Sequence, residues 1–312
     1  MGGRIAIATR GSPLARWQAG HVAALLRAVH AGLGVDLVVV ETFGDRALDR
    51  PIWELGGQGA FVKEVQAAVL DGRADVAVHS AKDLPSNPAL ATPGLVIAAV
   101  PERGDARDAL VGRALEQVPP GGVIATGSTR RRAQLADVRP DLTFAGLRGN
   151  IDTRLAAAPR FSAIVVAATA LARLDHHGYA AEVLSPETMV PQVGQGALAV
   201  ECRVDDPATR ALLAPVDHLP THRALAAERG FLATLGGGCE LPAGAYAVEG
   251  ADGQLWMRAV LASLDGRQVL RDQVVVPAAD DPAQAGRRLG ERLLSSGGGH
   301  LLLAELGRAP AP

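Results

Sequence analysis

Arg10 and Ser12, then His79, Ser80, Lys82 and Asp83, then Thr126, Ser128 and Arg130 to Arg132, then Arg148, Asn150 and Arg154, and finally Arg173 share one context. Each group closes or follows a short run of strand character: RIAIAT, DVAVHS, GVIATGS, LTFAGL and AIVVAAT. In open parallel sheets ligands bind outside the carboxyl ends of strands, where following helices offer free N–H groups and positive dipole ends. Guanidiniums collected at several such ends grip carboxylates or phosphates bidentately, so the pattern predicts a polyanion site. The run Arg130–Arg132 alone says less, because successive helical residues point about 100° apart and one of the three is expected to face solvent.

Arginine is the default cation here. Of 31 basic residues only Lys63 and Lys82 are lysine, and the two types are not interchangeable at a crowded site. Asp83, beside Lys82, is the carboxylate in this cationic set. It is either an ion-pair partner or a group that stabilises a transient substrate cation and trades protons with a leaving amine. Gly56, Gly57 and Gly59 lie in GGQGAF, which lacks the GK[ST] ending of a phosphate loop, so the segment reads as a lid or an ordinary exposed connection. His218 and His222 are four apart, but no third ligand accompanies them and no metal is expected. No G-x-S-x-G nucleophile elbow occurs. Cys239 follows three glycines, which either bury an inert thiol or present a reactive one; Cys202, inside an apolar run, is expected to pack.

These side chains need scaffolds, and 312 residues suffice for two or three domains. A net charge of −2 and 3% aromatic residues exclude a global basic field for nucleic acid or membrane and leave few stacking platforms. Two cysteines make no disulfide framework. The first apolar run breaks at Thr9 and Arg10, and no stretch approaches the roughly 18 apolar residues of a membrane span. The expected setting is cytoplasmic, with no nucleic-acid or membrane partner. Nothing marks a subunit interface, so a monomer is the default.

Ser12 and Pro13 read as the cap and first residue of a helix reaching about Val29. VDLVVVET, residues 35 to 42, suits a strand buried on both faces. Strands alternate with helices through residue 169, which predicts α/β units with mainly parallel sheets. ALAVECR, 197 to 203, is expected to cross back into the first unit, so that two crossings form a hinge. After a helical stretch at 222–235, three strand patterns separated by ADG and LDG turns predict an antiparallel meander. A helix over 281–296 closes this small α+β region, and the final APAP reads as a frayed tail.

IATRGSPLARWQA, GGQGAFVKE, AVHSAKDLP, RRRAQLADVRPDL, LRGNIDTRL, VGQGALAVECR and GGGCELPAGAYA resemble, in order and spacing, the motifs of the porphobilinogen deaminase (hydroxymethylbilane synthase) family. The resemblance runs from about residue 4 to about residue 303. It implies two periplasmic-binding-protein-like α/β domains joined by a hinge, plus a small C-terminal α+β domain with a three-stranded antiparallel sheet. The implied limits are 1–99 plus 197–216, then 103–192, then 218–312. It also implies a dipyrromethane held by a thioether to Cys239, and head-to-tail condensation of four porphobilinogen molecules with release of ammonia before water frees hydroxymethylbilane. By the same resemblance Asp83 is the catalytic residue, which hydrogen-bonds the pyrrole N–H groups and stabilises the azafulvene cation formed on deamination. Lys82, Ser80, Thr126, Ser128, Arg130, Arg131 and Arg148 hold the cofactor, and Arg10, Ser12, Gln18, Phe61, Arg154, Arg173 and Gln195 hold substrate. No metal or nucleotide is implied.

Two departures stand out. Gln58 and Glu54 replace lysines usual in the glycine-rich segment, and Gly127 stands where a serine is frequent. The competing reading is a binding module that closes on a small anion without chemistry, since architecture does not fix function.

Overall fold

The computed structural model of the chain describes residues 3–42, 62–238 and 240–307. The chain divides into two compact units, Met1–Arg103 with Ala197–His222, and Gly104–Gly196 with Arg223–Pro312. The first opens with β1 (Arg4–Arg10), α1 (Pro13–Val29) and β2 (Gly34–Val40), and continues through α2 (Lys63–Leu70), β3 (Val76–Ser80), a 3₁₀ turn (Ala81–Asp83) and β4 (Leu95–Ala99). The second starts with β5 (Asp108–Val111), β6 (Val123–Ala125), α3 (Thr129–Val138), β7 (Thr143–Ala145), α4 (Ile151–Ala157), β8 (Ala163–Ala167), α5 (Ala168–Arg173) and β9 (Ala180–Val183). The chain returns to the first unit as β10 (Leu198–Arg203) and α6 (Pro207–Leu213). It passes the unit boundary within α7 (Leu219–Thr234) and ends with β11 (Ala243–Glu249), β12 (Leu255–Ala262), β13 (Val269–Val276), α8 (Pro282–Ser296) and α9 (Gly299–Glu305).

The two five-stranded sheets have the same plan. Their orders are β2-β1-β3-β10-β4 and β7-β6-β8-β5-β9. In each, the first three strands are parallel, and the fourth runs antiparallel to both its neighbours. That reversed strand is the first strand the chain lays down after crossing from the other unit. The third sheet is the expected antiparallel meander β11-β12-β13.

Apolar spacing explains the layers. On α1, Ala19, Val22, Ala23 and Leu26 recur at helical intervals and bury against Ile5, Ile7, Val78 and Val200. The opposite sheet face is covered by Val65, Ala68 and Val69 of α2. Ser12 caps α1 and Pro13 opens it, as the sequence predicts. The meander packs Ala245, Met257, Ala259 and Leu261 against Phe231 of α7 and Leu289 and Leu293 of α8. Glycines let those two helices approach closely: a Cβ on Gly286 would collide with the Ala227 carbonyl, and one on Gly230 with the Ala283 carbonyl.

One expectation fails. The run VDLVVVET does not make a strand buried on both faces: β2 is an edge strand, with Leu37 43% and Val39 46% exposed. A continuous apolar run fixes the strand, not the cover on each face.

Candidate functional site

In the first unit β1 and β3 are parallel neighbours, so Arg10 and Ser80 end their strands on one sheet edge. Ser12 Oγ accepts from the Ala15 N–H at 3.3 Å, which commits that hydroxyl to the helix cap. Gln18, buried on α1, donates from Nε2 to Ser80 Oγ at 2.8 Å. Past Ser80 the chain tightens into the Ala81–Asp83 turn, whose Ala81 N–H donates to the Ala197 carbonyl at 3.0 Å. Lys82 and Asp83 are half-buried on that turn.

In the second unit β6 pairs in parallel with both β7 and β8, and the carboxyl ends of all three carry polar groups. After β6, Thr126 Oγ1 accepts from the Ser128 N–H at 3.2 Å, and Ser128 Oγ accepts from the Arg131 N–H at 3.4 Å, capping α3. After β7, Gly149 at φ 100° turns the chain from Arg148 to Asn150, whose Oδ1 accepts from the Thr153 N–H at 2.9 Å and starts α4. Arg173 closes α5, the helix that follows β8 directly.

Asp108 organises the arginines. Because β5 runs antiparallel, its first residue pairs with Ala167, the last of β8, and so lies at the same edge. Asp108 is fully buried. Its Oδ1 accepts from Arg131 Nε at 3.0 Å and from Gln195 Nε2 at 2.9 Å, and lies 2.7 Å from Arg131 Nη2. Arg131 Nη1 donates to the Val165 carbonyl at 2.9 Å. Arg130 Nη1 is 2.8 Å from Asp108 Oδ2 but points its hydrogen bond at the Val190 carbonyl, 2.7 Å away. Burial works against the Asp108 charge, yet Arg130 and Arg131 outweigh it and hold the carboxyl well below the usual carboxylate range. Arg130 Nε and Nη2 remain buried with no hydrogen-bond partner.

Two further arginines are disfavoured as cations, chiefly by burial. Burial first, then the Arg131 and Arg148 guanidiniums, pull Arg154 down to about 10. Its Nε donates to the Gly149 carbonyl at 2.8 Å, and among the described residues no carboxylate pairs with it. Burial likewise takes Arg173 to about 10, with Nη2 donating to the Gly196 carbonyl at 2.8 Å. A cation disfavoured by burial is eased by an incoming anion.

Arg10, Ser12, Gln18, Ser80, Lys82 and Asp83 therefore gather at one edge of the first sheet. Thr126, Ser128, Arg130, Arg131, Arg148, Arg154, Arg173 and Gln195 belong to the second unit. Phe61 and Cys239 lie outside the described residues, as do Glu54, Gly56, Gly57, Gln58 and Gly59. Glu240, next to Cys239, is described: its carbonyl accepts from Thr129 Oγ1 at 2.8 Å, on the first turn of α3. Arg132 is the exposed member of its run. Cys202 is buried, and burial pushes its thiol up. His218 Nδ1 meets Thr221 Oγ1 at 2.8 Å and His222 Nδ1 meets Asp217 Oδ1 at 2.9 Å, local contacts that entail no shared ligand. Among the described residues no group of three or more His, Cys, Asp or Glu could hold a metal, and no helix is long and apolar enough to cross a membrane. A side chain at Gly127 would put its Cβ 2.8 Å from the Leu147 carbonyl, so glycine fits the backbone here.

Sequence reasoning missed Asp108. Its signal was an acid at the head of the apolar run DALV after the first crossing, legible only once that strand is placed antiparallel.

Two family models match the chain. Residues 5–211 match the porphobilinogen deaminase dipyromethane cofactor binding domain, and residues 223–295 match the porphobilinogen deaminase C-terminal domain. Among solved structures, the BenM effector binding domain with benzoate is 14% identical, covers 72% of this chain and 94% of its own, and has a TM-score of 0.41. The methionine binding protein MetQ is 12% identical over 68% of this chain and 88% of its own, with a TM-score of 0.40. For the B. pertussis BvgS periplasmic domain, 15% identical with a TM-score of 0.37, the match covers 68% of this chain but only 39% of that one.

Proposed function

The chain belongs to the porphobilinogen deaminase family, and on that premise we propose that it condenses four porphobilinogen molecules head to tail, with loss of ammonia, into hydroxymethylbilane. The observation that carries the reading is the arginine cluster of the second unit. Burial, with Arg131 and Arg148 adding to it, pulls Arg154 down to about 10, and Arg130 keeps two buried nitrogens without partners. Such a site is completed by carboxylates, and each pyrrole of the substrate and product brings an acetate and a propionate.

The same chemistry tests the fit of a resident dipyrromethane. Its carboxylates suit Arg130, Arg131 and Arg148, with Ser80, Lys82, Thr126 and Ser128 as further donors, and Cys239 is the thiol assigned to anchor it. When bound, that group supplies the nucleophilic pyrrole end from which the product grows. Arg10, Ser12, Gln18, Phe61, Arg154, Arg173 and Gln195 are assigned to the incoming and growing substrate.

Asp83 carries the proton chemistry. Its carboxylate accepts the pyrrole N–H of the bound substrate and faces the positive charge that develops as the aminomethyl nitrogen departs. A carboxylate fixed on a short turn meets that charge without reorganising, which lowers the barrier to C–N cleavage. The proton lost from the coupling carbon is then taken up at the same oxygen pair.

Purified protein given porphobilinogen is expected to release ammonia and form hydroxymethylbilane, and its intact mass to exceed the sequence mass by two pyrrole units. Cys239→Ser removes that addition. Asp83→Asn keeps the fold and the addition but loses nearly all turnover. Active protein at bare sequence mass, or full turnover in Asp83→Asn, refutes the corresponding assignment.

A further inference from the structure

Behind the end of β3 lies a run of buried polar side chains that the proposed chemistry leaves unused. Thr92 Oγ1, in the loop before β4, donates to Gln66 Oε1 of α2 at 2.7 Å. Gln66 Nε2 donates to Glu201 Oε2 of β10 at 2.8 Å. The same carboxylate oxygen lies 3.1 Å from His79 Nε2 of β3. Gln66, His79 and Glu201 are all buried.

An imidazole N–H turned toward a carboxylate oxygen is favourable at that separation. The ring is not aligned for a linear hydrogen bond, and the attraction is electrostatic. Strand register explains the meeting: His79 pairs with Ala199 and Glu201 with Ala77, which sets the two on one sheet face as a diagonal pair.

We propose that His79, with Glu201, Gln66 and Thr92 behind it, is a positioning residue that holds the turn bearing Lys82 and Asp83; the inference rests on the reading of Asp83 given above. Successive strand residues face opposite sides. His79 is therefore held from the α2 side by Glu201, while Ser80 is held from the α1 side by Gln18. The next residue, Ala81, is fixed through its N–H by the Ala197 carbonyl. The last two residues of β3 are gripped on both faces before the chain turns, so a tilt of the strand end displaces Asp83. A purely structural contact at this depth is served as well by apolar side chains, because a buried carboxylate is weak evidence of stability.

The test uses His79→Leu and His79→Gln in the full-length, cofactor-loaded protein, with steady-state kinetics on porphobilinogen, intact mass and thermal melting. His79→Leu is expected to keep the two-pyrrole mass addition and to lower kcat about 10- to 100-fold with KM changed by less than about threefold, the signature of a displaced reacting group. His79→Gln, whose amide N–H can reach Glu201, restores most of kcat. A folded, loaded His79→Leu protein with kcat within about twofold of the parent overturns the proposal, as does a His79→Gln protein no better than His79→Leu. If His79→Leu does not fold, Glu201→Gln keeps the shape while removing the charge. It is expected to lower kcat about tenfold, and parental kcat there overturns the proposal too. Full turnover in Asp83→Asn refutes the assignment of Asp83 itself, whatever the His79 variants do.

Discussion

Asp108→Asn isolates the electrostatics of the second unit. Arg130 is 2% and Arg131 6% exposed, and Asp108 is the carboxylate in ion-pair contact with both, at 2.8 and 2.7 Å. The asparagine preserves shape and one acceptor oxygen for Gln195 or Arg131, but it takes the Asp108 charge away from two buried guanidiniums. Removing one member of a buried ion pair costs about 3–5 kcal/mol. For a unit of this size each kcal/mol lowers Tm by about 2–4 °C, so a fall on the order of 10 °C is expected at pH 7. The dependence on pH gives an independent check. The folded carboxyl titrates below its value in the unfolded chain, so its stabilisation is complete above an unfolded pKa of about 3.9 and is lost as pH falls below that, where only the unfolded chain takes up the proton. Melting followed by circular dichroism between pH 3 and pH 7 should show this acid loss in the parent and its reduction in Asp108→Asn. A variant that melts within about 2 °C of the parent at pH 7, or that keeps the full acid slope, refutes the account.

Other expectations follow from single contacts. Arg154→Gln removes a cation that burial and two guanidiniums disfavour. The ligand-free protein should melt at the same or a higher temperature, while KM for porphobilinogen rises about tenfold or more, the worth of a charge-assisted hydrogen bond; a lower Tm with unchanged KM contradicts this. Gly286→Ala drives a methyl into the Ala227 carbonyl and forces α7 and α8 apart. A loss of about 1–3 kcal/mol in urea unfolding is expected, with kcat of the folded protein unchanged.

Much of this architecture is legible in the residues. Ser12 and Pro13 mark the start of α1 because a cap and a fixed φ are local chemistry, and the ADG and LDG turns mark the meander because short polar turns terminate strands. The strands β5 and β9 were not foreseen. DALV and AAEV are four residues each, too short to show a period, and both pair only with strands distant in sequence. Helix α9 was missed for the opposite reason: Gly298, at φ 77°, interrupts the pattern and reads as a terminus when it is a hinge between two helices. In the site, hydroxyl caps and cations at strand ends could be read from spacing. Their buried partners could not, since Asp108 and Glu201 reach Arg131 and His79 across 23 and 122 residues of chain.

Those two carboxylates have a common origin in topology. Each sheet receives one reversed strand, β10 in the first and β5 in the second, and each is the first strand formed after the chain crosses from the other unit. A reversed strand begins where its parallel neighbours end: Leu198 pairs with Ser80, and Asp108 with Ala167. Its opening residues therefore lie at or just behind the edge where strand-end cations and hydroxyls collect. A parallel strand could not do this, because it would bring its last residues to that edge and commit them to the following turn. The reversed strand instead delivers a carboxylate backed by regular sheet pairing, to Arg130 and Arg131 in one unit and to His79 in the other. The same entry that closes each sheet thus brings a carboxyl group to the polar residues at its edge, Glu201 to His79 in the first unit and Asp108 to Arg130 and Arg131 in the second.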